Sequence, residues 1–487
     1  MKAFIEKFFK IEENGTTIRT EIVAGVTTFL TMAYIIALNP NLIVGFGVGT
    51  AATEMGSLWR AVFLATILSS GITTIMMGLF ANKPFALSSG MGLNSYFGTI
   101  AATFAGALGA SLVVGVQVAL CIILVEGIIF LGLSLFKIRE KIVDAIPHGV
   151  RLGISAGIGL MLVNIGLGSN MTFLDKNFGS YFMLSGFFTD GPAGALEALG
   201  PDTYKQLIIS VATVFVGIIL MCVLSHFKIN GAILYGVGGA SLLYWALYAI
   251  VGLGNPFAAL VGASWLPPFG DMVSNTFFKF DFVNLWKVGA TVGYFTLIMA
   301  TLSICMIDMF DTIGTLYGTC KAADMLDEND NVPEMGKCLL TDAVGTCLGA
   351  VTGTSTVTTF VESASGVKVG GRTGLTSVVT GVLFLACMFI SPLAAIIPSP
   401  ATSAALVYVG ALMISALKEV DYSDAAISVP VVVMLIAMPV TSSIGSGIGL
   451  GLILNSLIKL CRGEWRQVSW LSIVLSVLFL CKFFIIF

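Results

Sequence analysis

Four carboxylates of this chain sit in segments expected at membrane depth. Asp308 and Asp311 stand three apart in 308–315 (DMFDTIGT), so on a helix they share roughly one face. Glu362 lies in 354–367 (TSTVTTFVESASGV), and Glu126 falls in the middle of LCIILVEGIIF. A carboxylate accepts hydrogen bonds from N–H groups, and a desolvated one binds a proton more readily. Asn94, in 88–95 (SSGMGLNS), adds an amide that both donates and accepts. Thr315 and Thr354, in the same polar stretches, add hydroxyls. Together these groups could hold a neutral hydrogen-bonding ligand and exchange a proton beside it. Structural roles compete with that chemistry. Glu126 reads first as a partner for a neighbouring helix, Asp308 reads equally as an acceptor for a hydroxyl or backbone donor, and helix–helix glue is the lesser reading of Asn94. Asp311 and Glu362 have the stronger functional case, because each lies in a glycine-interrupted stretch of the second half.

The elements that must position these groups follow from composition. The chain has 487 residues, 57% of them hydrophobic, and only 10% are Asp, Glu, Lys or Arg. Soluble domains carry about 25% charged residues, and mean hydropathy here is +0.98. So few charges cannot cover a soluble surface of this size, which leaves a polytopic membrane protein with about 20 apolar residues per span. A net charge of −3 with no basic block excludes nucleic acid as a partner. The nine cysteines are odd in number and form no CxxC pair, so they read as buried free thiols. Glycine, at 55 residues, suits close helix crossings and broken helices.

Apolar spans are expected near 22–44, 61–81, 112–136, 149–169, 206–227, 230–252, 288–318, 338–353, 373–397, 401–417, 424–440 and 441–461. Two further segments, 86–100 and 354–367, are short and rich in Ser, Thr and Gly. Non-helical backbone at membrane depth survives only when buried in protein or lining a cavity. If both cross, the chain is all-α with 14 segments and a cytoplasmic N-terminus. The cytoplasmic loops then collect 18 of the 24 Lys and Arg residues, as positive charge requires. The short segments are third and tenth, so two seven-segment halves (22–253 and 254–461) start on opposite sides as an inverted repeat. Interrupted segments at matching positions point to a transporter's substrate site. Residues 1–21 form a cytoplasmic arm with an amphipathic Phe/Lys pattern, and no cleavage site follows. The tail, 462–487, contains an apolar run over 470–487 that reads as an extra span or a surface helix. Trp59, Trp265, Trp465 and Trp470 lie near span ends, where an interfacial belt would place them.

Enzyme readings lack their constellations. There is no HExxH, GxSxG or Walker A motif and no paired Cys/His ligand set, so neither catalysis, a metal nor a cofactor is expected. Both histidines, His148 and His226, fall at expected cytoplasmic ends. A channel would show pore-ring repeats, whereas here polar groups converge midway in an internally symmetric chain.

Residues 14–34 (NGTTIRTEIVAGVTTFLTMAY), followed by Asn39-Pro40-Asn41, resemble the opening of the AzgA-like purine permeases, a branch of the nucleobase–cation symporter-2 superfamily. Residues 88–97, 308–315 and 353–366 resemble that branch's third, eighth and tenth segments, and the likeness runs from 11 to about 461. It implies a core domain of segments 1–4 and 8–11 and a gate domain of segments 5–7 and 12–14, as in the uracil permease. Substrate would sit between segments 3 and 10, gripped by Asp311 and Glu362, with Asn94 as a polar contact. A homodimer is implied as well. The chemistry fits a purine: a planar neutral base offers ring N–H groups to carboxylates, and its acceptors take amide donors. Anionic substrates would favour helix-end dipoles without nearby carboxylates, which argues against an anion carrier of this architecture.

The expected function is secondary active import of purine bases, hypoxanthine and guanine first. It would use proton symport and an elevator or rocking form of alternating access in the cytoplasmic membrane. Asp311 leads the proton-coupling candidates because the eighth span is expected to unwind at Gly314, with Asp308 and Glu126 behind it. An adenine permease of the same family and a non-transporting membrane sensor are the alternatives.

Overall fold

The structure, a computed structural model, describes residues 2–45, 48–49, 51–136, 148–167, 201–255, 257, 260, 264–322, 325–327, 332–441 and 443–484. Lys137, Arg139, Lys141, Lys176 and most of the outer loop expected over 170–204 lie outside the described residues.

A short amphipathic helix, α1 (Lys2–Phe9), opens the chain with Phe4 and Phe8 exposed and Phe9 tucked against Leu375. The first span is split into α2 (Ile18–Met32) and α3 (Ile35–Val44), and α4 (Glu54–Met76) follows, ending in a π turn. The short third segment is a strand, β1 (Leu87–Ser89), leading into α5 (Met91–Leu108). Then come α6 (Leu112–Leu135), α7 (His148–Leu167), α8 (Pro201–His226) and α9 (Ala232–Ile250). Two short helices, α10 (Phe269–Asn275) and α11 (Phe282–Val292), precede the long α12 (Tyr294–Ala322) and α13 (Met335–Thr352). The tenth segment is again a strand, β2 (Val357–Thr359), and a helix, α14 (Ser363–Val369). The chain finishes with α15 (Gly374–Ala386), α16 (Ser391–Ala395), α17 (Ser399–Ile414), α18 (Ala425–Thr441), α19 (Ile444–Cys461) and α20 (Trp470–Phe484).

Among the described residues, 10 helical stretches are long and apolar enough to cross a membrane, which makes this a multi-pass membrane protein. The expected third, ninth, tenth and thirteenth segments fall outside that set. The ninth, α13, carries Thr341, Asp342 and Thr346 inside the protein, and the thirteenth, α18, is only 17 residues long. The span expected over 288–318 is divided at Gly293 (φ +90°) into two helices, α11 and α12, which fold back into contact through Trp286 and Tyr294.

The strands answer the question of how extended backbone survives here. β1 and β2 pair antiparallel, Ser88 opposite Thr358, and all six residues are buried. Gly90 N–H donates to Thr356 O at 3.2 Å and Phe360 N–H to Ala86 O at 3.0 Å, extending the ladder at both ends. The outer edge of β1 is closed by α4: Thr74 Oγ1 donates to Leu87 O and accepts its N–H, and Ser70 bonds Ser88. Polar side chains thus replace the water that a buried strand edge lacks.

Helix pairing repeats with the halves exchanged. In one bundle α4 packs on α15 as α13 packs on α6; in the other α7 meets α17, α8 pairs with α9 and α18 with α19. Crossings sit on facing glycines. A Cβ on Gly381 would meet Gly71 O at 2.6 Å, and one on Gly410 would meet Gly159 O at 2.4 Å. Absent side chains let the backbones approach closely, as membrane helices require without a hydrophobic drive between them.

Two side chains lie elsewhere than the sequence suggests. Trp59 is 1% exposed, stacked on Phe63, and donates its indole N–H to Asn41 at 2.8 Å, so it belongs to the core and not to an interfacial belt. Trp265, Trp465 and Trp470 are exposed. Glu21, assigned by sequence to the arm, is buried one turn inside α2. It accepts the backbone N–H of Arg372 at 2.8 Å, those of Thr373 and Thr376, and the Thr376 hydroxyl at 2.7 Å. It therefore braces the start of α15 across 350 residues of chain, taking the Thr376 N–H of its first turn and the two N–H groups just before the helix, while Asn82 and Thr373 take those of Gly374 and Leu375. Glu21→Ala is expected to lower stability by about 1.5–3 kcal/mol, the range for hydrogen bonds to a charged group. Thermal unfolding in detergent measures this, and ligand affinity of the folded fraction should be unchanged.

Candidate functional site

Strand and helix starts bring the polar segments together. Because β1 and β2 run antiparallel, the helices that follow them, α5 and α14, begin on opposite sides of the same small ladder. Glu362 immediately precedes α14, and its Oε1 accepts the Tyr34 hydroxyl at 2.7 Å. Tyr34 comes from the break between α2 and α3 and also reaches Met91 Sδ at 3.3 Å. Glu362 Oε2 is buried and has no hydrogen-bond partner. A polar atom in that condition costs free energy unless something fills it.

Both carboxylates face one cavity of about 1530 Å³, whose wall includes Met91, Gly92, Asp311, Gly314, Thr315, Phe360 and Glu362. The cavity lies between the two bundles, with Ile158 of α7 and Tyr408 of α17 on the far wall. Gly92 marks a close approach: a Cβ there would meet Ile158 Cγ2 at 2.6 Å. Backbone N–H groups of the first turn of α5 and the half-helix dipole lie beside this cavity, so donors and acceptors converge on it. Such a set suits a flat neutral ligand with its own N–H groups and acceptors.

The other sequence candidates lie behind that surface. Asn94 does not line the cavity: its amide donates to Ser89 O at 3.1 Å and its Oδ1 accepts Ser355 Oγ, tying segment 3 to segment 10. Thr354 Oγ1 accepts Asn39 Nδ2 at 2.7 Å and bonds Ser89 Oγ at 3.0 Å. Glu126 Oε2 accepts the Thr356 hydroxyl at 2.8 Å from the residue before β2. Asp308 is fully buried, with Thr312 Oγ1 at 3.4 Å. The same hydroxyl donates to Asp342 at 2.9 Å and lies 2.6 Å from Thr358. The structure thus places Asp311, Glu362 and Thr315 on the cavity wall, and Asn94, Thr354, Asp308 and Glu126 in the polar framework that holds the strands.

Gly314 corrects one expectation. α12 runs unbroken from Tyr294 to Ala322, so the eighth span does not unwind there. No atom lies within 4 Å of a Cβ built on Gly314, which opens onto the cavity. The glycine leaves room beside Asp311, and the helix keeps its backbone bonds. Three participants escaped the sequence reading. Asp342 lies in an expected span and was open to the same charge-in-membrane test as Asp308. Tyr34 and Asn39 fall in the stretch that carries the family resemblance, but nothing there says which carboxylate or hydroxyl they would meet.

Comparisons with known proteins follow the same line. The Xan_ur_permease model, described as a permease family, matches residues 19–450. The chain is 36% identical to the adenine permease AdeQ of Escherichia coli (strain K12), over 99% of this chain and 96% of that one. It is 34% identical to the guanine/hypoxanthine permease PbuO of Bacillus subtilis (strain 168), over 98% and 100%. Among solved structures, the transmembrane domain of the cyanobacterial bicarbonate transporter BicA shares the fold, with a TM-score of 0.58 at 14% identity over 89% of this chain and 97% of that one. Murine Slc26a9, an anion transporter, gives 0.59 at 12% identity over 95% and 72%. The family's members are permeases and not enzymes. The chain belongs to the Xan_ur_permease family, the nucleobase:cation symporter-2 family of membrane permeases.

Proposed function

We infer that this protein imports purine bases, hypoxanthine and guanine first, across the cytoplasmic membrane by proton symport. The observation that carries the reading is the pair Asp311 and Glu362 on one inter-bundle cavity, with Glu362 Oε2 buried and open. A purine ring N–H would donate to that oxygen, and the base would lie against Met91, Gly92 and Phe360. Asp311 would carry the coupled proton. Asn94, Thr354, Asp308 and Glu126 would hold the strands in place, with Thr315 as a further hydroxyl contact.

The exchanged pairing of helices supports two inverted halves of seven segments each. It also supports a core domain of α2–α6 with α12–α15 and a gate domain of α7–α9 with α17–α19. Movement of one against the other would expose the cavity alternately. Its wall includes Arg151, Lys228 and Lys368, residues that charge asymmetry assigns to the cytoplasm, so this conformation would open inward, with the N-terminus on that side. A homodimer would hold the gate still while the core moves.

Adenine is the second substrate reading, because adenine permeases are as similar to this chain as guanine/hypoxanthine permeases are. Uptake of labelled hypoxanthine into proteoliposomes, with and without a proton gradient, separates these readings. Accumulation driven by the gradient and competed by guanine is the expected result. Stronger competition by adenine would move the assignment to adenine, and binding without flux would make the protein a sensor.

A further inference from the structure

The cavity is larger than a purine needs: about 1530 Å³, against the 300–1,000 Å³ that encloses a drug-sized ligand. Its cytoplasmic end is cationic. Arg151 of α7, Lys228 after α8 and Lys368 of α14 all line it, with Glu419 as the opposing carboxylate. Among the described residues, none of these three cations is in an ion pair. Arg151 Nε is buried and has no hydrogen-bond partner. Lys228 and Lys368 are exposed and Arg151 is half-buried; positive-inside asymmetry explains cations in a loop, but not an arginine on a cavity wall whose Nε is buried and left open.

Helix rise sets how far two of these charges stand from the base site along their own helices. Lys368 is six residues beyond Glu362, about 9 Å along α14 at 1.5 Å per residue. Arg151 is seven residues before Ile158 on the same face of α7, about 10 Å from the level of Gly92. Cations thus line the cavity about 9–10 Å along two of its walls from the base site, a reach comparable to a nucleoside. Arg151 and Lys228 belong to one bundle and Lys368 to the other, so a doubly charged group between them would tie the bundles together.

We propose that this inner mouth binds the phosphate of a purine nucleoside 5′-monophosphate whose base occupies the Asp311–Glu362 site, holding the transporter inward-open. The ligand class is the product of any reaction that transfers a ribose phosphate to the imported base. The proposal rests on the purine reading above. A base that has been phosphoribosylated inside would block its own further entry, bound by carboxylates at one end and cations at the other.

The test uses the full chain in phosphatidylcholine nanodiscs, with labelled hypoxanthine at equilibrium. Inosine 5′-monophosphate is expected to displace it, inosine to do so at least tenfold more weakly, and inorganic phosphate not at all. In Arg151→Gln/Lys368→Gln, hypoxanthine affinity is expected to be unchanged, while the nucleotide weakens by about a hundredfold or more, the loss of two charge-assisted contacts. Equal displacement by inosine, or nucleotide inhibition unaltered in the double variant, overturns the proposal. So does displacement by phosphatidylglycerol added to the discs without nucleotide, which would assign the cations to a lipid headgroup. Hypoxanthine binding without nucleotide competition sinks the phosphate site alone, whereas absence of hypoxanthine binding in the parent sinks the purine reading beneath it.

Discussion

Glu362→Gln is expected to bind hypoxanthine about 10- to 150-fold more weakly than the parent, since a hydrogen bond to a charged group is worth about 1.5–3 kcal/mol. The substitution preserves shape and leaves an oxygen for the Tyr34 hydroxyl, which now lies 2.7 Å from Oε1. What it removes is the charge at Oε2, the buried atom with no partner in the protein. An amide there presents either a neutral oxygen or an N–H that opposes the purine's own donor. The fold should persist, because Glu362 makes no side-chain cap for α14. Equilibrium binding of labelled hypoxanthine decides the matter, and normal affinity would exclude the pose in which Glu362 grips a ring N–H.

Asp311→Asn separates binding from coupling. The amide imitates a permanently protonated carboxyl, so it can neither take up a proton outside nor release one inside. Exchange of labelled purine across the membrane should continue, because that cycle needs no net proton movement. Gradient-driven accumulation should vanish. At one proton per base, a pH difference of one unit sustains about tenfold accumulation, as one unit corresponds to about 1.36 kcal/mol. The variant is expected to equilibrate near unity. Asp311 earns this role by position: it lines the cavity beside the open space at Gly314, while Asp308 and Glu126 are turned to Thr312 and Thr356. Accumulation that survives in Asp311→Asn yet fails in Glu126→Gln or Asp308→Asn would move coupling into the framework.

The sequence alone determined the solvent of this protein and the depth of its chemistry. Hydropathy and charge are sums over neighbouring residues, so they are legible without a fold. They separated apolar spans from the two short polar segments and singled out carboxylates that lipid would not tolerate. The strands at 87–89 and 357–359 fall inside those segments because serine, threonine and glycine there could be satisfied only by protein.

Only the tertiary structure decided which polar residue meets which. Glu21 and Thr376, Asn94 and Ser355, Glu126 and Thr356, and Tyr34 and Glu362 are separated by 230 to 355 positions, and no local pattern encodes such pairs. A carboxylate buried in the protein can brace a distant helix, as Glu21 does, or face a cavity, as Asp311 does. Composition cannot tell these apart, because the difference lies in what the opposing helix presents. Gly314 makes the same point for backbone. A glycine within a span permits either a break or an open space, and the intact bonds of α12 chose the second. The physical reason is common to all of them: cost in a membrane is set residue by residue, whereas its relief comes from partners that only packing brings within hydrogen-bond reach.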